Sequence, residues 1–164
     1  MTLSQRFSLV ALRVTAGWLL FYAGITKVFA VEWFGASAPW SAAGYLNNAK
    51  TFPEFYSWLA GSDMLPVINF LNQWGLTLLG IMLMLGLATR LSALLAAGIM
   101  VLYYFPVLEY PYIGDHSYLV DDHVIYALAF FVLGAFRAGR VWGMDALLRS
   151  RGVFKKGVYA KLVG

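Results

Sequence analysis

Residues 64–108 read MLPVINFLNQWGLTLLGIMLMLGLATRLSALLAAGIMVLYYFPVL, two long apolar runs that meet at Thr89-Arg90. A helix needs about 20 mostly apolar residues to cross a bilayer, and the runs 64–88 and 91–108 come close to that length. Because only two residues separate them, we predict an antiparallel helical hairpin with a very tight connection. The first run also contains three glycines, which allow helices to approach closely in lipid: Gly75, Gly80 and Gly86.

Two further apolar runs, residues 9–29 and 120–138, flank this hairpin. The apolar part of the last run is short, and we expect Arg137 and Arg140 to complete it by reaching along the helix to the interface. In the whole chain of 164 residues 61% are hydrophobic and only 12% are charged, which lies outside the range of soluble domains. The sequence therefore predicts an all-α integral membrane protein, one domain built as a bundle of four transmembrane helices.

Two segments lie outside the predicted helices, an aromatic-rich insertion over residues 30–63 and a basic tail over residues 139–164. Aromatic residues at this density favour a membrane interface, with a ligand or partner pocket as the alternative. Within the insertion, residues 51–54 have the spacing of a capping box, which predicts a short helix over residues 55–60 that lies on the bundle or on the lipid headgroups. The tail is expected to bind anionic lipid, and a specific partner site is its alternative.

The charges predict the orientation of the helices. With four spans, ten of the twelve lysines and arginines fall on one side, namely Arg6, Arg13, Arg90 and the seven from Arg137 onward. The opposite side carries seven of the eight carboxylates, Glu32, Glu54, Asp63, Glu109, Asp115, Asp121 and Asp122, and leaves Asp145 alone on the basic side. Cytoplasmic loops are enriched in basic residues. Both termini are therefore predicted to be cytoplasmic, and the insertion extracytoplasmic.

Three groups of residues carry a resemblance to the DoxX and DoxD family. Leu12-Arg13, Gly17-Trp18 and Phe21–Lys27 look like the family's first helix, and Trp74–Leu76 with Gly80–Arg90 is similar to its glycine-spaced helix that ends in Thr-Arg. Asp122-His123 with Ala138–Asp145 resembles its last helix and exit. Leu76 stands where many relatives carry a glutamate, so no proton role is carried over to that position.

The resemblance implies a small subunit of a respiratory or sulfur-oxidising system in the plasma membrane of a prokaryote. The activity best defined for the DoxD branch is thiosulfate oxidation with quinone as the electron acceptor, and it involves a second subunit. The implied partners are membrane lipids and another membrane or extracytoplasmic protein. The chain contains no cysteine, so its own thiols cannot carry electrons.

Ionisable residues near the predicted extracytoplasmic ends of the helices are the candidates for such chemistry. Lys27 is the one basic residue there near a helix end, and it is a candidate ligand for a small anion, with Lys50 as a loop alternative. Lys27 could equally be an interface anchor or an ion-pair partner of Glu32. Arg13 is a second candidate for substrate binding, and its alternative is a bond to a backbone carbonyl or to a lipid phosphate.

Protons for quinone reduction would come from His123 with Asp121, Asp122 or Glu109. His123 with Asp121 and Asp122 could instead only start a helix, because carboxylates in a first turn suit the helix dipole. Three tyrosines could pack against a quinone headgroup or bond to it, Tyr103, Tyr104 and Tyr126.

The spacing of Asp115, His116, Asp121, Asp122 and His123 matches no established metal-site pattern, and two histidines seven residues apart do not suit haem ligation across a bundle. We therefore expect no metal, no haem and no nucleic-acid partner. Two functions remain open. One is a quinone-linked oxidoreductase subunit, and the other is a non-catalytic accessory or scaffold subunit of a larger complex. A small-solute transporter is less favoured, because no inverted repeat is recognisable.

Overall fold

The computed structural model describes residues 1–29, 39–113 and 117–152. These residues form seven helices: α1 Leu3–Val28, α2 Ala43–Asn47, α3 Pro53–Gly61, α4 Leu65–Leu85, α5 Thr89–Val107, α6 Asp122–Ala135 and α7 Met144–Ser150. A π-helical turn over Leu71–Gly75 interrupts α4, and a 3-10 turn over Ala138–Arg140 precedes α7. Within the described ranges the only β pairing consists of isolated bridges in the loop after α5. The predicted all-α fold class is confirmed.

Four of the helices, α1, α4, α5 and α6, pack side by side and alternate in direction. Helix α1 packs mainly against α4, and α5 mainly against α6. At one end, Lys27 of α1 lies near Gln73 of α4. At the other end, Arg13 of α1 contacts Ala138, which follows α6. We name these the Lys27 end and the Arg13 end of the bundle.

Three helices, α1, α4 and α5, are long and apolar enough to cross a membrane. Helix α6 has 14 residues, a length of about 21 Å, and ends at Ala135, inside the predicted run 120–138. The helix does not continue to Arg137, whose backbone adopts a left-handed conformation with φ +50°. Many large apolar side chains of these helices are exposed, for example Leu102 at 66% and Phe131 at 58%. Helices α1, α4 and α5 are embedded in the membrane and contact lipid.

The contact between α1 and α4 depends on glycine. A Cβ atom at Gly80 would lie 2.6 Å from the carbonyl oxygen of Gly17 and closer still to the amide nitrogen of Phe21. Of the other two glycines noted in this run, Gly75 has no neighbour within 4 Å of such an atom. Gly86 ends α4 with φ +68°, a conformation that glycine adopts without strain, and a Cβ atom there would lie 2.8 Å from the Cα atom of Gly143.

The connection between α4 and α5 differs from the predicted one. Thr89 and Arg90 do not form the turn but are the first residues of α5, and the turn comprises Gly86–Ala88. Helix α5 begins early because a carboxylate from elsewhere in the chain, Asp145, accepts hydrogen bonds from its first amides. The two helices are antiparallel, as predicted, but each packs more extensively against another partner.

The capping box predicted at residues 51–54 was wrong, although the helix it was meant to start exists as α3. Phe52, not Thr51, precedes this helix, in a left-handed conformation with φ +52°, and no side chain caps it. Pro53 occupies the first turn, where its missing N–H costs nothing. The hydroxyl of Thr51 instead donates to the carbonyl of Leu108 after α5. A capping box does occur at α1, between Thr2 and Gln5.

The described part of the aromatic insertion, residues 39–63, packs against the Lys27 end. Ala42, Leu46 and Ala60 form a small apolar cluster between α2 and α3. Leu65 and Ile68 of the first turns of α4 pack against the same cluster. Residues 30–38 of the insertion, including Glu32, lie outside the described residues, as do residues 153–164 of the basic tail.

Candidate functional site at the Lys27 end

Lys27 lies on the face of α1 that packs into the bundle. The buried residues of this helix are Leu9, Arg13, Gly17, Leu20 and Gly24. From Arg13 onward they are spaced four, three and four apart, which places them on one helix face. Position 27 continues the series with a step of three. The aliphatic part of Lys27 therefore runs along the inside of the bundle, and its half-buried ammonium group reaches the end.

The Lys27 ammonium contacts the faces of two aromatic rings. Its Nζ atom is 4.7 Å from the ring centroid of Trp40 and 5.8 Å from that of Tyr103. Such cation–π contacts contribute about 0.5–1 kcal/mol at exposed sites and more where water is excluded. No hydrogen bond or ion pair joins Nζ to the described residues. Glu32, the predicted ion-pair partner, lies outside them. All three N–H donors of Lys27 are thus free to bind an acceptor, as far as the described chain is concerned.

The π-helical turn in α4 supplies two amide side chains beside Lys27. Gln73 donates through Nε2 to the carbonyl oxygen of Lys27 at 3.5 Å. The Asn72 carbonyl oxygen accepts the hydroxyl of Tyr103. Thr77 donates to the carbonyl of Gln73 at 2.6 Å, which satisfies one backbone group that the wider turn leaves available. Turns of this kind are frequent at functional sites.

Tyr103 connects the elements of this site. Its carbonyl oxygen accepts the hydroxyl of Tyr45 from α2 at 2.6 Å. Its ring meets the edge of His123 at a centroid distance of 6.2 Å. Together with the contacts to Asn72 and Lys27, these place Tyr103 at the junction of α1, α2, α4 and α6.

Asp121 and His123 form a hydrogen-bonded pair at the start of α6. Asp121 Oδ1 caps the helix by accepting from the amides of His123 and Val124 at 3.0 and 3.2 Å. Asp121 Oδ2 lies 2.6 Å from His123 Nδ1. A carboxylate on Nδ1 fixes the ring orientation and leaves Nε2 as the nitrogen that can exchange a proton. The helix-capping and acid–base roles considered for these residues are therefore compatible.

The remaining residues predicted for proton transfer or headgroup contact form no hydrogen bond with this pair in the described chain. Asp122 is exposed in the first turn of α6, and Glu109 is exposed in the loop after α5, where its backbone bridges to Tyr112. The hydroxyl of Tyr104 donates to the carbonyl of Leu119 at 2.7 Å. Tyr126 packs against the apolar core of the bundle.

Arg13, the other predicted substrate ligand, lies at the opposite end and is 2% exposed. Its guanidinium donates through NH1 to the carbonyls of Ala138 and Val141 at 2.6 and 2.9 Å, and through NH2 to that of Trp142 at 3.3 Å. This is the carbonyl-binding alternative considered above. Arg13 does not lie with Lys27, His123 or the tyrosines.

Asp145 completes the Arg13 end and was not predicted from sequence. It is 3% exposed, and its carboxylate accepts from the amides of Ala88 and Thr89 at 2.7 and 2.9 Å. Ala88 precedes α5 and has no side-chain acceptor of its own, so Asp145 caps this helix from 56 residues away. The Asp145 amide also donates to the carbonyl of Gly86 at 2.9 Å.

Tyr45 lies outside the membrane-spanning helices, and its surroundings change its pKa clearly. Burial, with smaller contributions from Tyr56 and Asp121, raises its pKa to about 12. The phenol therefore remains protonated at physiological pH and acts as a hydrogen-bond donor to Tyr103.

Among the described residues, no group of three or more His, Cys, Asp or Glu side chains could hold a metal ion. Asp115 and His116 lie outside them.

Trp40, Tyr45, Asn72 and Gln73 were not predicted as site residues. The three polar residues at the start of the second run, Asn69, Asn72 and Gln73, were the available signal, because polar side chains in an apolar span usually face the protein interior. Asn69 serves a different purpose, since its carbonyl oxygen accepts the amide of Ala42 at 2.8 Å and holds the insertion.

The DoxX family model matches residues 8–108, a range that begins within α1, includes the insertion, α4 and α5, and stops before α6. No curated protein and no solved structure gave a significant match. The family match covers more than half of the chain, and the fold has the long apolar helices that the family resemblance implied. The chain is therefore a member of the DoxX family, a multi-pass membrane protein of the kind associated with redox-related systems.

Proposed function

We propose that this protein is a membrane subunit of a respiratory system that oxidises a small sulfur anion of the thiosulfate type with quinone as acceptor. One observation carries the proposal. The Lys27 ammonium lies over the rings of Trp40 and Tyr103 and has no acceptor among the described residues. A cation with free donors beside flat aromatic surfaces suits an oxygen-bearing ring or a small anion.

The residues of the Lys27 end fit a quinone headgroup. Lys27 would donate a hydrogen bond to a carbonyl oxygen, and the rings of Trp40 and Tyr103 would pack against the ring of the ligand. A bound quinone accepts two electrons and two protons. Oxidation of two thiosulfate ions to one tetrathionate, with formation of a sulfur–sulfur bond, releases two electrons and balances this reduction.

His123 is the proposed proton donor, because its Nε2 faces no hydrogen-bond partner in the described chain while Asp121 holds Nδ1. General acid catalysis by a positioned histidine typically contributes about 10²–10⁴-fold in rate. Asp121 is then a positioning residue. Asp122 and Glu109, both exposed, would exchange protons with water near His123.

The proposed topology puts the Lys27 end outside the cytoplasm. The Lys27 end carries four exposed carboxylates, namely Glu54, Asp63, Glu109 and Asp122. The Arg13 end carries six further arginines: Arg6, Arg90, Arg137, Arg140, Arg149 and Arg151. Under the positive-inside rule this means four spans, with α6 as the fourth, and both termini in the cytoplasm of a prokaryotic cell. The chemistry would then occur at the outer surface, where a second subunit could reach it.

The second candidate is a non-catalytic accessory or scaffold subunit of a larger membrane complex. The polar side chains of the Lys27 end also bond to one another across elements, as Tyr103 does to Asn72 and Tyr45 does to the backbone of Tyr103. Hydrogen bonds of this kind stabilise helix packing in lipid. Under this reading the same contacts hold the bundle together and transfer no electrons.

The test is thiosulfate-dependent quinone reduction by the purified chain and by whatever copurifies with it in mild detergent. Lys27→Met removes the ammonium, and we expect KM for quinone to rise about 10- to 100-fold, the equivalent of one charge-assisted hydrogen bond. Lys50→Met is the matched control, because Lys50 is an exposed lysine at the same end. His123→Asn should instead lower kcat.

The outcome separates the two candidates. Turnover that Lys27→Met reduces and Lys50→Met leaves unchanged supports the oxidoreductase. A stoichiometric complex without turnover, from which Lys27→Met or His123→Asn releases the chain, supports the accessory subunit. Turnover that neither Lys27→Met nor His123→Asn changes would mean that the site lies elsewhere.

A further inference from the structure

Helix α3 divides its surface among three sides. Tyr56 and the residues three and four positions after it, Leu59 and Ala60, face the apolar cluster with α2 and the start of α4. Phe55 and Trp58, three residues apart, share a second side and are 53% and 63% exposed. Their ring centroids lie 6.1 Å apart, so they form one aromatic surface.

The third side of α3 is polar. Glu54, Ser57 and Gly61 are spaced three and four apart and are all exposed. A helix on the surface of a water-soluble protein needs only two kinds of side, buried and solvated. Helix α3 has an additional side, that of Phe55 and Trp58, which is apolar and uncovered within the described chain.

The position of α3 indicates which medium covers this aromatic side. Its buried residues pack on Leu65 and Ile68, in the first turns of α4. Helix α4 has 21 residues and is about 31 Å long, close to the thickness of a hydrocarbon layer. Helix α3 therefore lies at the depth where that layer ends.

The aromatic side of α3 is also close in sequence to an exposed apolar stripe on α4. Only three residues, Ser62 to Met64, separate α3 from α4. The exposed residues of α4 include Val67, Leu71, Trp74 and Leu78, which are spaced four, three and four apart and form a stripe along the span. Exposed Phe52 and Met64, at 66% and 50%, flank α3 in the sequence at either end.

We propose that α3 is an interfacial anchor helix, with Phe55 and Trp58 inserted among the lipid headgroups and with Glu54 and Ser57 facing water. The occupant of the aromatic surface is the bilayer, not a protein partner. This inference depends on α4 crossing the membrane and is independent of the redox chemistry proposed above. Its consequence is that lipid binding sets the position of the insertion that supplies Trp40 and Tyr45 to the Lys27 site.

The chain has no cysteine, so single cysteines can carry a nitroxide label without background. Phe55→Cys and Trp58→Cys report on the aromatic side, Ser57→Cys on the polar side, and Leu78→Cys on the lipid-facing stripe of α4. In vesicles of phosphatidylcholine and phosphatidylglycerol, we would measure collision of each label with oxygen and with a water-soluble nickel chelate. We expect oxygen to dominate at positions 55 and 58, more strongly still at 78, and the chelate to dominate at 57.

Water-like accessibility at positions 55 and 58, equal to that at 57, would overturn the proposal and leave protein docking as the use of this surface. Labels at 55 and 58 that are inaccessible to both reagents would do the same, because that pattern indicates protein burial.

A measurement without cysteine keeps the aromatic side intact. Brominated lipid should quench tryptophan fluorescence less in Trp58→Phe than in the unsubstituted protein, and equal quenching would contradict lipid contact at Trp58.

Discussion

Replacement of Asp145 should destabilise the bundle more than replacement of any exposed carboxylate. Asp145 is 3% exposed and accepts two amide hydrogen bonds at 2.7 and 2.9 Å. Hydrogen bonds to a charged group contribute about 1.5–3 kcal/mol each. Asp145→Ala leaves both amides unsatisfied in a buried place and removes the negative charge nearest the Arg13 guanidinium. Removing one member of such a charged network typically costs about 3–5 kcal/mol.

We therefore expect Asp145→Ala to lower the free energy of unfolding by about 3–5 kcal/mol, and Asp145→Asn, which keeps one carbonyl acceptor, by about 1.5–3 kcal/mol. Asp122→Ala is the matched control, since Asp122 is an exposed carboxylate in the first turn of α6. Its loss should cost only about 0.3–1 kcal/mol, the value of a charge at a helix N-terminus.

The assay is reversible unfolding in mixed micelles of mild detergent and dodecyl sulfate, followed by circular dichroism and tryptophan fluorescence. A loss for Asp145→Ala no larger than that for Asp122→Ala would refute the capping role. Equal losses for Asp145→Asn and Asp145→Ala would show that charge, and not the acceptor geometry, accounts for the effect.

Three further predictions concern other positions. Gly80→Ala should lower the free energy of unfolding by about 1–3 kcal/mol, because its Cβ meets the α1 backbone. Gly98→Ala, in open space on α5, should raise it by about 1 kcal/mol, and similar effects of the two substitutions in unfolding assays would contradict the close contact. Thr89→Val should be neutral or slightly stabilising, since the buried Thr89 hydroxyl has no partner in the described chain, and a large loss would reveal one. Because the pKa of Tyr45 rises from 10.0 to about 12 on folding, the stability it contributes is complete below pH 10 and is lost as pH rises toward 12. Tyr45→Phe should therefore reduce alkaline destabilisation in unfolding measured over this pH range, and Tyr110→Phe, 79% exposed in the native protein, should not.

The existence of the long helices could be predicted from sequence because apolar length acts over whole segments. The helix ends could not. Helix α5 starts at Thr89 because Asp145 caps it, and α6 stops at Ala135 because the following carbonyls turn toward Arg13. Both ends are set by side chains distant in sequence, which local propensity does not contain. Thr51 shows the converse, since its spacing suited a local cap but its hydroxyl bonds to Leu108.

The candidate site was predicted in part. Lys27, Tyr103 and His123 were recognisable as ionisable or hydrogen-bonding groups near one end of the spans, and the structure brings these three together. Whether Lys27 faces lipid or the bundle follows from the four-and-three spacing that begins at Arg13, a pattern present in the sequence. Asn72 and Gln73 depend on the π-helical turn, which has no reliable sequence signature.

Asp145 had one signal that sequence alone offered. It is the single carboxylate among basic residues on its side of the predicted membrane. A charge that contradicts its surroundings indicates a specific partner, and here the partners are two backbone amides and a nearby arginine.

The bonds of Arg13 also constrain how the protein can be made. Arg13 and its acceptor Ala138 are 125 residues apart, so the first helix enters the membrane with a guanidinium whose acceptors have not yet been synthesised. Until the ribosome has passed Trp142, that charge must remain hydrated or be held by lipid phosphate or an insertion factor. Release of a shortened chain before this point would leave it unpaired. Completion of the bundle is in this way coupled to synthesis of the segment that ends at Trp142.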